Sequence, residues 1–262
     1  MIVIISPAKR LDFKTDVHHG AFSQPDFLDD AEALVQDARK LAVHEWQGVM
    51  KLSDDLAGLT HQRFQDFAPP FDLSNAKQAV FAFKGDAYQG LDAESLSEDE
   101  LAYAQDHLRI LSGFYGLLRP LDLIQAYRLE MGAKLRNARG ANLYDFWGTS
   151  LTDGLNEALA GSGDAEPVLV KLASNEYFGA VQPGDIRGRI ITPQFKEIKD
   201  GEPRVMSMYA KRARGLMSRF IIRNRISEPE GLKGFNLEGY AFNRLLSEGD
   251  TFVFTRDYPP KK

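Results

Sequence analysis

The strand-like segments of this sequence are short and almost wholly apolar, and helical segments lie between them. Apolar runs of this kind are typical of buried strands, whereas a strand with one solvent-exposed face alternates polar and apolar residues. The pattern predicts an α/β or α+β domain with a mixed β-sheet core and surrounding helices. The predicted strands are residues 2–5, 79–83, 108–111, 168–172, 189–192 with 205–208, and 251–255.

Apolar residues recur at helical spacing in six further segments. The predicted helices are residues 27–42, 44–50, 54–67, 98–107, 143–160 and 209–224. Ser97 and Glu100 have the spacing of a capping box for the fourth helix, and Asp200-Gly201 is typical of a tight turn between two strands. Because three helices fall between the first two strands, we expect one domain over residues 1–262 with a helical insertion at about 27–78.

Composition excludes several classes of protein. No stretch of the 262 residues approaches the roughly 20 apolar residues of a membrane span, and the N-terminus lacks the positive region of a signal peptide. We therefore expect a cytoplasmic protein without membrane contact. The absence of cysteine excludes disulfides, iron–sulfur clusters and a cysteine nucleophile. The five histidines show no paired metal spacing, so no metal or other cofactor is predicted, although carboxylates remain as iron ligands.

Charge is segregated along the chain, although the net charge is only -5. Residues 203–227 contain seven basic residues and no acid, and they include the predicted helix 209–224. An apolar stripe at about 100° per residue predicts that this helix packs on the core through Tyr209, Ala213, Leu216, Met217 and Phe220. Two rows of cations flank the stripe: an arginine row of Arg212, Arg219 and Arg223, and a second row of Lys211 and Arg214.

Guanidinium groups held at fixed spacing suit phosphate recognition, because each presents a rigid fork of donors. Nucleic acid is the natural polyanion, so both rows are candidate contacts for double-stranded DNA. The alternative is a surface helix whose arginines pair with an acidic block at residues 86–106, which holds seven carboxylates and no Lys or Arg.

A second candidate site comes from polar residues that follow the predicted strands. Ligand sites in open sheets lie at the carboxyl ends of parallel strands. If the strands run parallel, one polar pocket would collect Ser6, Lys9, Lys84, Asp86, Arg119, Tyr127, Arg128, Glu130, Asn175 and Glu176. Such a pocket suits a small anionic ligand, with Lys9 and Lys84 as the strongest candidates. The alternative is structural pairing within loops, of Arg119 with Asp122 and of Arg128 with Glu130.

Motifs that would identify a reaction are missing. The sequence has no GxxxxGK(S/T), GxGxxG, HExxH or GxSxG, so nucleotide-binding loops, zinc proteases and serine hydrolases have no support. Whether the chain is an enzyme therefore stays open, and its catalytic residues are unknown.

Six longer segments carry a family resemblance: ISPAKRLDF at the start, FKGDAYQGL from Phe83, LSGFYGLLRPLDLIQAYRLEMG from Leu111, LYDFWG from Leu143, LASNEYF from Leu172 and YAKRARGLMSRFII from Tyr209. Through them the chain resembles the YaaA family of bacterial peroxide-stress proteins over nearly its full length. Arg10 stands where Thr is usual in that family, and Ala126 where Pro is usual.

The resemblance implies an unusual mixed fold with a positive cleft and binding of duplex DNA with weak sequence preference. It also implies action during hydrogen peroxide stress that lowers unincorporated iron and so limits oxidative DNA damage. A helix-hairpin-helix-like element of the family maps to residues 44–67, although an ordinary packed hairpin is the alternative. Three hypotheses remain: a DNA-binding stress protein, an enzyme or binder of a phosphate-containing or nucleotide-like ligand, and direct iron sequestration.

Overall fold

The apolar N-terminal strand occupies the centre of the sheet in the computed structural model, which describes residues 1–16 and 19–258. The strands are β1 (Ile2–Ile5), β2 (Arg10–Leu11), β3 (Lys77–Gln78), β4 (Phe83–Lys84), β5 (Leu108–Ser112), β6 (Gly116–Leu118), β7 (Leu123–Ile124), β8 (Val168–Lys171), β9 (Arg189–Lys199), β10 (Glu202–Arg204), β11 (Ala241–Phe242) and β12 (Thr251–Asp257). All four residues of β1 are buried, as its unbroken apolar run predicts.

The helices are α1 (Leu28–Ala38), α2 (Val43–Met50), α3 (Asp54–Asp66), α4 (Ala79–Ala82), α5 (Asp86–Leu91), α6 (Glu98–His107), α7 (Leu143–Trp147), α8 (Ser150–Gly161), α9 (Asn175–Phe178) and α10 (Ser207–Asn224). Short 3-10 helices cover Ala93–Ser95, Pro183–Asp185, Pro229–Gly234, Leu237–Gly239 and Arg244–Leu246. Within the described ranges, none of the helices combines the length and the apolar character that a membrane crossing requires.

Parallel pairing dominates the main sheet, whose order is β11-β12-β9-β8-β1-β5-β6 with β10 beside β9. β1 pairs in parallel with β5 and with β8, so that Val3 lies opposite both Leu108 and Val170. β8 with β9 and β9 with β12 are also parallel. β6, β10 and β11 are antiparallel additions to β5, β9 and β12. The mixed sheet and the α/β class predicted from the sequence are confirmed.

The direction of winding reverses at β1. The chain passes from β1 to β5 on one side, and then crosses to β8 on the other side before it continues to β9 and β12. Loops after β1 and β8 therefore leave in opposite directions, and a crevice opens between the carboxyl ends of these two strands. In open α/β sheets this reversal point is where ligands bind.

The region predicted as a helical insertion contains α1, α2 and α3. α2 and α3 form a helical hairpin where the predicted element at residues 44–67 lies. Trp46 of α2 stacks on Phe64 of α3 with ring centroids 5.0 Å apart. Both aromatic side chains are fully buried. Phe64 also packs against Phe114, so the hairpin is part of the main hydrophobic core. Its role as a DNA-binding element stays a prediction.

Two local predictions are confirmed in detail. The Ser97 hydroxyl accepts a hydrogen bond from the Glu100 main-chain N–H, and the Glu100 carboxylate accepts one from the Ser97 N–H. Asp200 and Gly201 adopt positive φ angles of 55° and 80° and form the tight turn between β9 and β10. Positive φ at both central residues matches the twist of the flanking strands.

Three element predictions were wrong in detail. Residues 79–82 form the buried helix α4 instead of a strand, because a short apolar run fits either state when it is fully buried. Residues 205–208 are not a strand, since β10 ends at Arg204 and α10 begins at Ser207. The predicted helix 143–160 is interrupted at Gly148, whose φ of +49° separates α7 from α8.

Two glycines allow α5 and α10 to cross in backbone contact. A Cβ added to Gly215 would lie 1.7 Å from the carbonyl oxygen of Ala87, and one added to Gly90 would lie 2.2 Å from that of Arg212. No side chain other than hydrogen fits at either position. The crossing brings the middle of α10 against the start of α5, directly beside the loop that follows β1.

Candidate functional site

A cavity of about 460 Å³ opens at the carboxyl ends of β1 and β8, where the winding of the sheet reverses. Its polar and aromatic lining comprises Ser6, Lys9, Arg10, Lys84, Asp86, Tyr88, Gln89, Ser174, Glu176, Tyr177, Lys211 and Arg214. The parallel strand directions that the sequence could only suppose thus bring the loops after β1 and β8 together. α5 and α10 supply the remaining wall.

A hydrogen-bond network fixes the two loops to each other. The Ser174 N–H donates to the Ser6 hydroxyl oxygen over 2.8 Å, and the two hydroxyl oxygens lie 3.3 Å apart. The Tyr88 hydroxyl donates to the main-chain oxygen of Ser6 over 3.1 Å. Burial raises the pKa of Tyr88 well above its usual value, so this hydroxyl remains a neutral donor. The base of the cavity is therefore held from both strands and from α5.

Lys84 reaches the cavity although the strand predicted before it is mostly a helix. The two-residue strands β2 and β4 pair with Arg10 opposite Lys84. The Lys84 ammonium lies 2.6 Å from a Glu94 oxygen and 3.9 Å from an Asp12 oxygen. Hydrogen bonds from Thr15 and then Lys14 lower the pKa of Asp12, which keeps it ionised. Lys84 is thus anchored by carboxylates at the edge of the cavity.

Cations outnumber carboxylates in the lining. The cationic residues are Lys9, Arg10, Lys84, Lys211 and Arg214, and the acidic ones are Asp86 and Glu176. Within the described ranges, neither Lys211 nor Arg214 has a carboxylate within 4.0 Å. Burial lowers the pKa of Arg214, yet an arginine stays protonated in proteins. A partly buried guanidinium without a counterion favours the entry of an anion.

Lys171, at the end of β8, is a cation near Arg214 that does not line the cavity and that the sequence patterns did not single out. Burial, and then the charge of Arg214, lower its pKa, so the two cations are close enough to repel each other. The Lys171 ammonium donates to the Asn175 side-chain oxygen over 3.1 Å and lies 4.3 Å from the Phe178 ring centroid. Asn175 therefore orients Lys171 and does not line the cavity.

Three predicted pocket residues line a narrow crevice that adjoins the cavity and shares Lys9 with it. One Glu130 oxygen lies 2.6 Å from the Lys9 ammonium, and the other lies 3.6 Å from the Arg128 guanidinium. The Nε of Arg128 is buried without a hydrogen-bond partner. Tyr127 is held through a 2.8 Å hydrogen bond between its hydroxyl and that of Ser112. The predicted pairing of Arg128 with Glu130 is therefore observed, and Glu130 also forms an ion pair with Lys9.

The arginine row of α10 does not line the cavity, and its side chains contact other groups. Arg212 lies 2.6 Å from Glu238, Arg219 donates to the main-chain oxygens of Leu91 and Asp92, and Arg223 lies 3.0 Å from Glu100. Two of the three partners come from the acidic block, as the structural alternative anticipated. Only the second row of α10, Lys211 and Arg214, lines the cavity.

Arg119 is separate from the cavity. Its guanidinium lies 3.1 Å from Asp122 and 2.9 Å from Asp26. Asp122 is completely buried, and burial raises its pKa even though Ser23 and Arg119 donate hydrogen bonds to it. Arg119 thus fixes the turn after β6, which is the structural alternative for this residue.

No group of three or more His, Asp or Glu side chains within residues 1–16 and 19–258 is arranged to hold a metal ion. The cavity itself contributes only two carboxylates, Asp86 and Glu176, to such a donor set. The charged groups of the lining are therefore five cations and these two carboxylates.

A family model described as peroxide stress protein YaaA matches residues 1–246. The matched range contains every residue of the cavity lining and ends before β12.

Proposed function

This chain belongs to the YaaA family of peroxide stress proteins, and from that premise we propose that it acts by binding a phosphate-containing ligand in the cavity between β1 and β8. The observation that carries the proposal is the position of Lys211 and Arg214. Both line the cavity, and neither is neutralised by a carboxylate among the described residues. A phosphate group would supply the missing counter-charge and accept several charge-assisted hydrogen bonds.

The dimensions of the site support a small ligand. A volume of about 460 Å³ lies within the range of roughly 300–1,000 Å³ that small-molecule sites occupy. The lining also offers neutral groups, since the Ser6 and Ser174 hydroxyls lie at the base and Gln89 lies on α5. Apolar contacts come from Ile5 and Leu172. These features support the proposal of a small ligand in this cavity.

A thermal-shift screen tests the proposal. Wild-type protein is heated with inorganic phosphate, pyrophosphate, nucleotides and sugar phosphates, and a bound ligand raises the melting temperature. At a concentration of 100 times its Kd a ligand stabilises the folded state by about 2.7 kcal/mol. Arg214→Ala should abolish the shift. Arg223→Ala is the matched control, because Arg223 lies on the same helix but outside the cavity.

If no phosphate-containing compound raises the melting temperature of the wild-type protein, the proposed ligand class is wrong. If Arg214→Ala keeps the full shift while a ligand binds, the ligand occupies another part of the molecule.

Double-stranded DNA is the second candidate ligand, and the exposure of the cavity mouth favours it. The Lys9 side chain is 62% exposed, and Arg10 and Lys211 are also exposed. Cations that reach from a cavity to the surface can follow a phosphate backbone. In this form of the proposal the second row of α10 and the loop after β1 contact DNA, with little dependence on sequence.

We propose further that the chain helps to limit free intracellular iron and oxidative DNA damage through its ligand or DNA and not by holding iron. The donor set supports this view, because cysteine is absent and no metal cluster is present in the described part of the chain. Anaerobic titration with ferrous iron tests it, with weak, millimolar binding as the expected result. Stoichiometric micromolar binding would establish direct sequestration instead.

A further inference from the structure

Two carboxylates line a cavity whose other charged groups are cations. Asp86 is the first residue of α5, and Glu176 lies in the short helix α9 that follows β8. Carboxylates repel phosphate, so a site that binds phosphate alone has no use for them. Their presence indicates a second kind of interaction within the same cavity.

The contacts of Glu176 show that its carboxylate is held in place with one oxygen free. Its Oε1 accepts a 3.1 Å hydrogen bond from the Gly132 N–H. The Tyr144 hydroxyl donates to the main-chain oxygen of Glu176 over 2.9 Å and fixes the backbone. Oε2 has no hydrogen-bond partner among the described residues. An ionised carboxylate only accepts hydrogen bonds, so this oxygen selects an N–H or O–H group.

Asp86 offers a second acceptor from the neighbouring wall. It makes no ion pair within 4.0 Å and no side-chain hydrogen bond with the described residues, although its charge, after that of Glu238, helps to raise the pKa of Arg212. Its oxygens therefore remain open to a donor from a ligand. It precedes Tyr88 by two residues, and the Tyr88 hydroxyl is already committed to the main-chain oxygen of Ser6. The cavity thus combines free cations, contributed by α10, with free carboxylate oxygens, contributed by α5 and α9.

We infer that the cavity binds a ligand with two unlike ends, a phosphate that contacts Lys211 and Arg214 and a neutral group whose N–H or O–H donors contact Asp86 and Glu176. This inference rests on the proposed phosphate-binding function and names its ligand class. A nucleoside monophosphate has this chemistry, because its sugar hydroxyls and base amino groups are donors. Carboxylates commonly bind ribose hydroxyls. Tyr88, Tyr177 and Leu172 supply apolar surface for the faces of a sugar or base.

Isothermal titration calorimetry at fixed ionic strength tests the inference, with inorganic phosphate and the four ribonucleoside 5′-monophosphates as ligands. We expect at least one nucleotide to bind about tenfold or more tightly than phosphate, because hydrogen bonds to charged groups add to the phosphate contact. Asp86→Asn and Glu176→Gln should each lower the affinity for that nucleotide by about tenfold. The same substitutions should raise the affinity for inorganic phosphate, since they remove a repelling charge. Glu248→Gln, outside the cavity, is the matched control.

This opposite effect on the two ligands separates the possible outcomes. If both amide variants bind phosphate and nucleotides more tightly than the wild type does, the carboxylates only repel anions. The inference is then overturned, while the proposed phosphate site stands. If neither phosphate nor any nucleotide binds the wild-type protein, the proposed function fails and the inference fails with it.

A short single-stranded oligonucleotide distinguishes a free nucleotide from one within a nucleic acid strand. Tighter binding of the oligonucleotide than of mononucleotides, still weakened by Asp86→Asn and Glu176→Gln, supports the inference with a strand as the source. If both variants bind the oligonucleotide with wild-type affinity, the inference is contradicted.

Discussion

Ser6 and Ser174 are joined by a 2.8 Å hydrogen bond from the Ser174 N–H to the Ser6 hydroxyl, although 168 residues separate them in the chain. Each is among the first polar residues after a buried parallel strand, and the bond crosses the point where the sheet reverses its winding. The cavity is built on this junction, so its shape depends on a contact between two distant loops.

Ser6→Ala should lower the free energy of unfolding by about 1–2 kcal/mol, because the partly buried Ser174 N–H loses its acceptor. The substitution should also lower the affinity of the cavity for its ligand. Urea denaturation followed by circular dichroism gives the first quantity. Ser227→Ala, at an exposed site, should change stability by less than about 0.5 kcal/mol. Equal stability of Ser6→Ala and wild type would contradict the importance of this junction.

Gly215→Ala should destabilise the protein by about 3 kcal/mol, because its Cβ would overlap the Ala87 carbonyl at 1.7 Å and force α5 and α10 apart. Gly58→Ala in α3 is the informative control, since nothing lies within 4 Å of an added Cβ there. That substitution should stabilise the helix by about 0.5–1 kcal/mol. Thermal melts compare the melting temperatures of both variants with that of the wild type. A Gly215→Ala protein as stable as the wild type would show that α5 and α10 can move apart at little energetic cost.

Glu238 should contribute a pH-dependent part of the stability. A hydrogen bond from Arg212 lowers its pKa below the ordinary value of 4.5, so folding favours the ionised carboxylate. The stabilisation is therefore complete above pH 4.5 and is lost as the pH falls through the lower folded pKa. The stability difference between wild type and Glu238→Gln should shrink as the pH falls below 4.5, measured by denaturation at each pH. A stability difference that stays constant as the pH falls from 7 to 3 would contradict this role of the Glu238 carboxylate.

Glu130→Gln should strengthen anion binding in the cavity, because it releases Lys9 from the 2.6 Å ion pair. Exposed ion pairs are worth at most about 1 kcal/mol, so the expected gain in affinity is up to about fivefold. Competition between phosphate and a fluorescent nucleotide measures it. Lys9→Ala should have the opposite effect, and weaker binding by both variants would mean that Glu130 orders the crevice and does not compete with the ligand.

DNA binding, if it uses the cavity mouth, should respond differently to the two rows of α10. Lys211→Ala and Arg214→Ala should each flatten the log–log salt dependence by roughly 0.9. Arg219→Ala with Arg223→Ala should leave the slope nearly unchanged, since those arginines already contact Asp92 and Glu100. Fluorescence anisotropy with duplex DNA over a series of salt concentrations provides the slopes. The reverse pattern would place DNA on the arginine row.

Elements with a strong local signal could be predicted from the sequence. The buried strand Ile2–Ile5, the capping box at Ser97 and the turn at Asp200-Gly201 were all found where expected. Residues 79–82 were not, because an apolar run of that length is compatible with either a strand or a helix once it is buried. Helix α10 was predicted, but of its predicted stripe only Ala213, Leu216 and Met217 are buried, whereas Tyr209 and Phe220 are half-buried. Nothing in the local sequence indicated the helix crossing at Gly215.

For the candidate site residues, the sequence indicated which loops follow strands. It did not indicate which ion-pair or hydrogen-bond partner each charged side chain has. Ser6, Lys9, Lys84, Asp86 and Glu176 line the cavity with Lys211 and Arg214. Tyr127, Arg128 and Glu130 line the adjoining crevice. Lys171, which lies near Arg214 but does not line the cavity, could have been noticed as the one cation within residues 168–172.

The sequence by itself determined the segregation of charge, the amphipathic stripe of α10 and the family, because these depend on the order of residues and on helical periodicity alone. Only the tertiary structure decided that the two rows of α10 differ, with Arg219 and Arg223 beside acids and Lys211 and Arg214 beside a cavity. The reason is physical: the field around a charge depends on groups within a few ångströms. Those groups come from parts of the chain that only the parallel sheet and the α5–α10 crossing bring together.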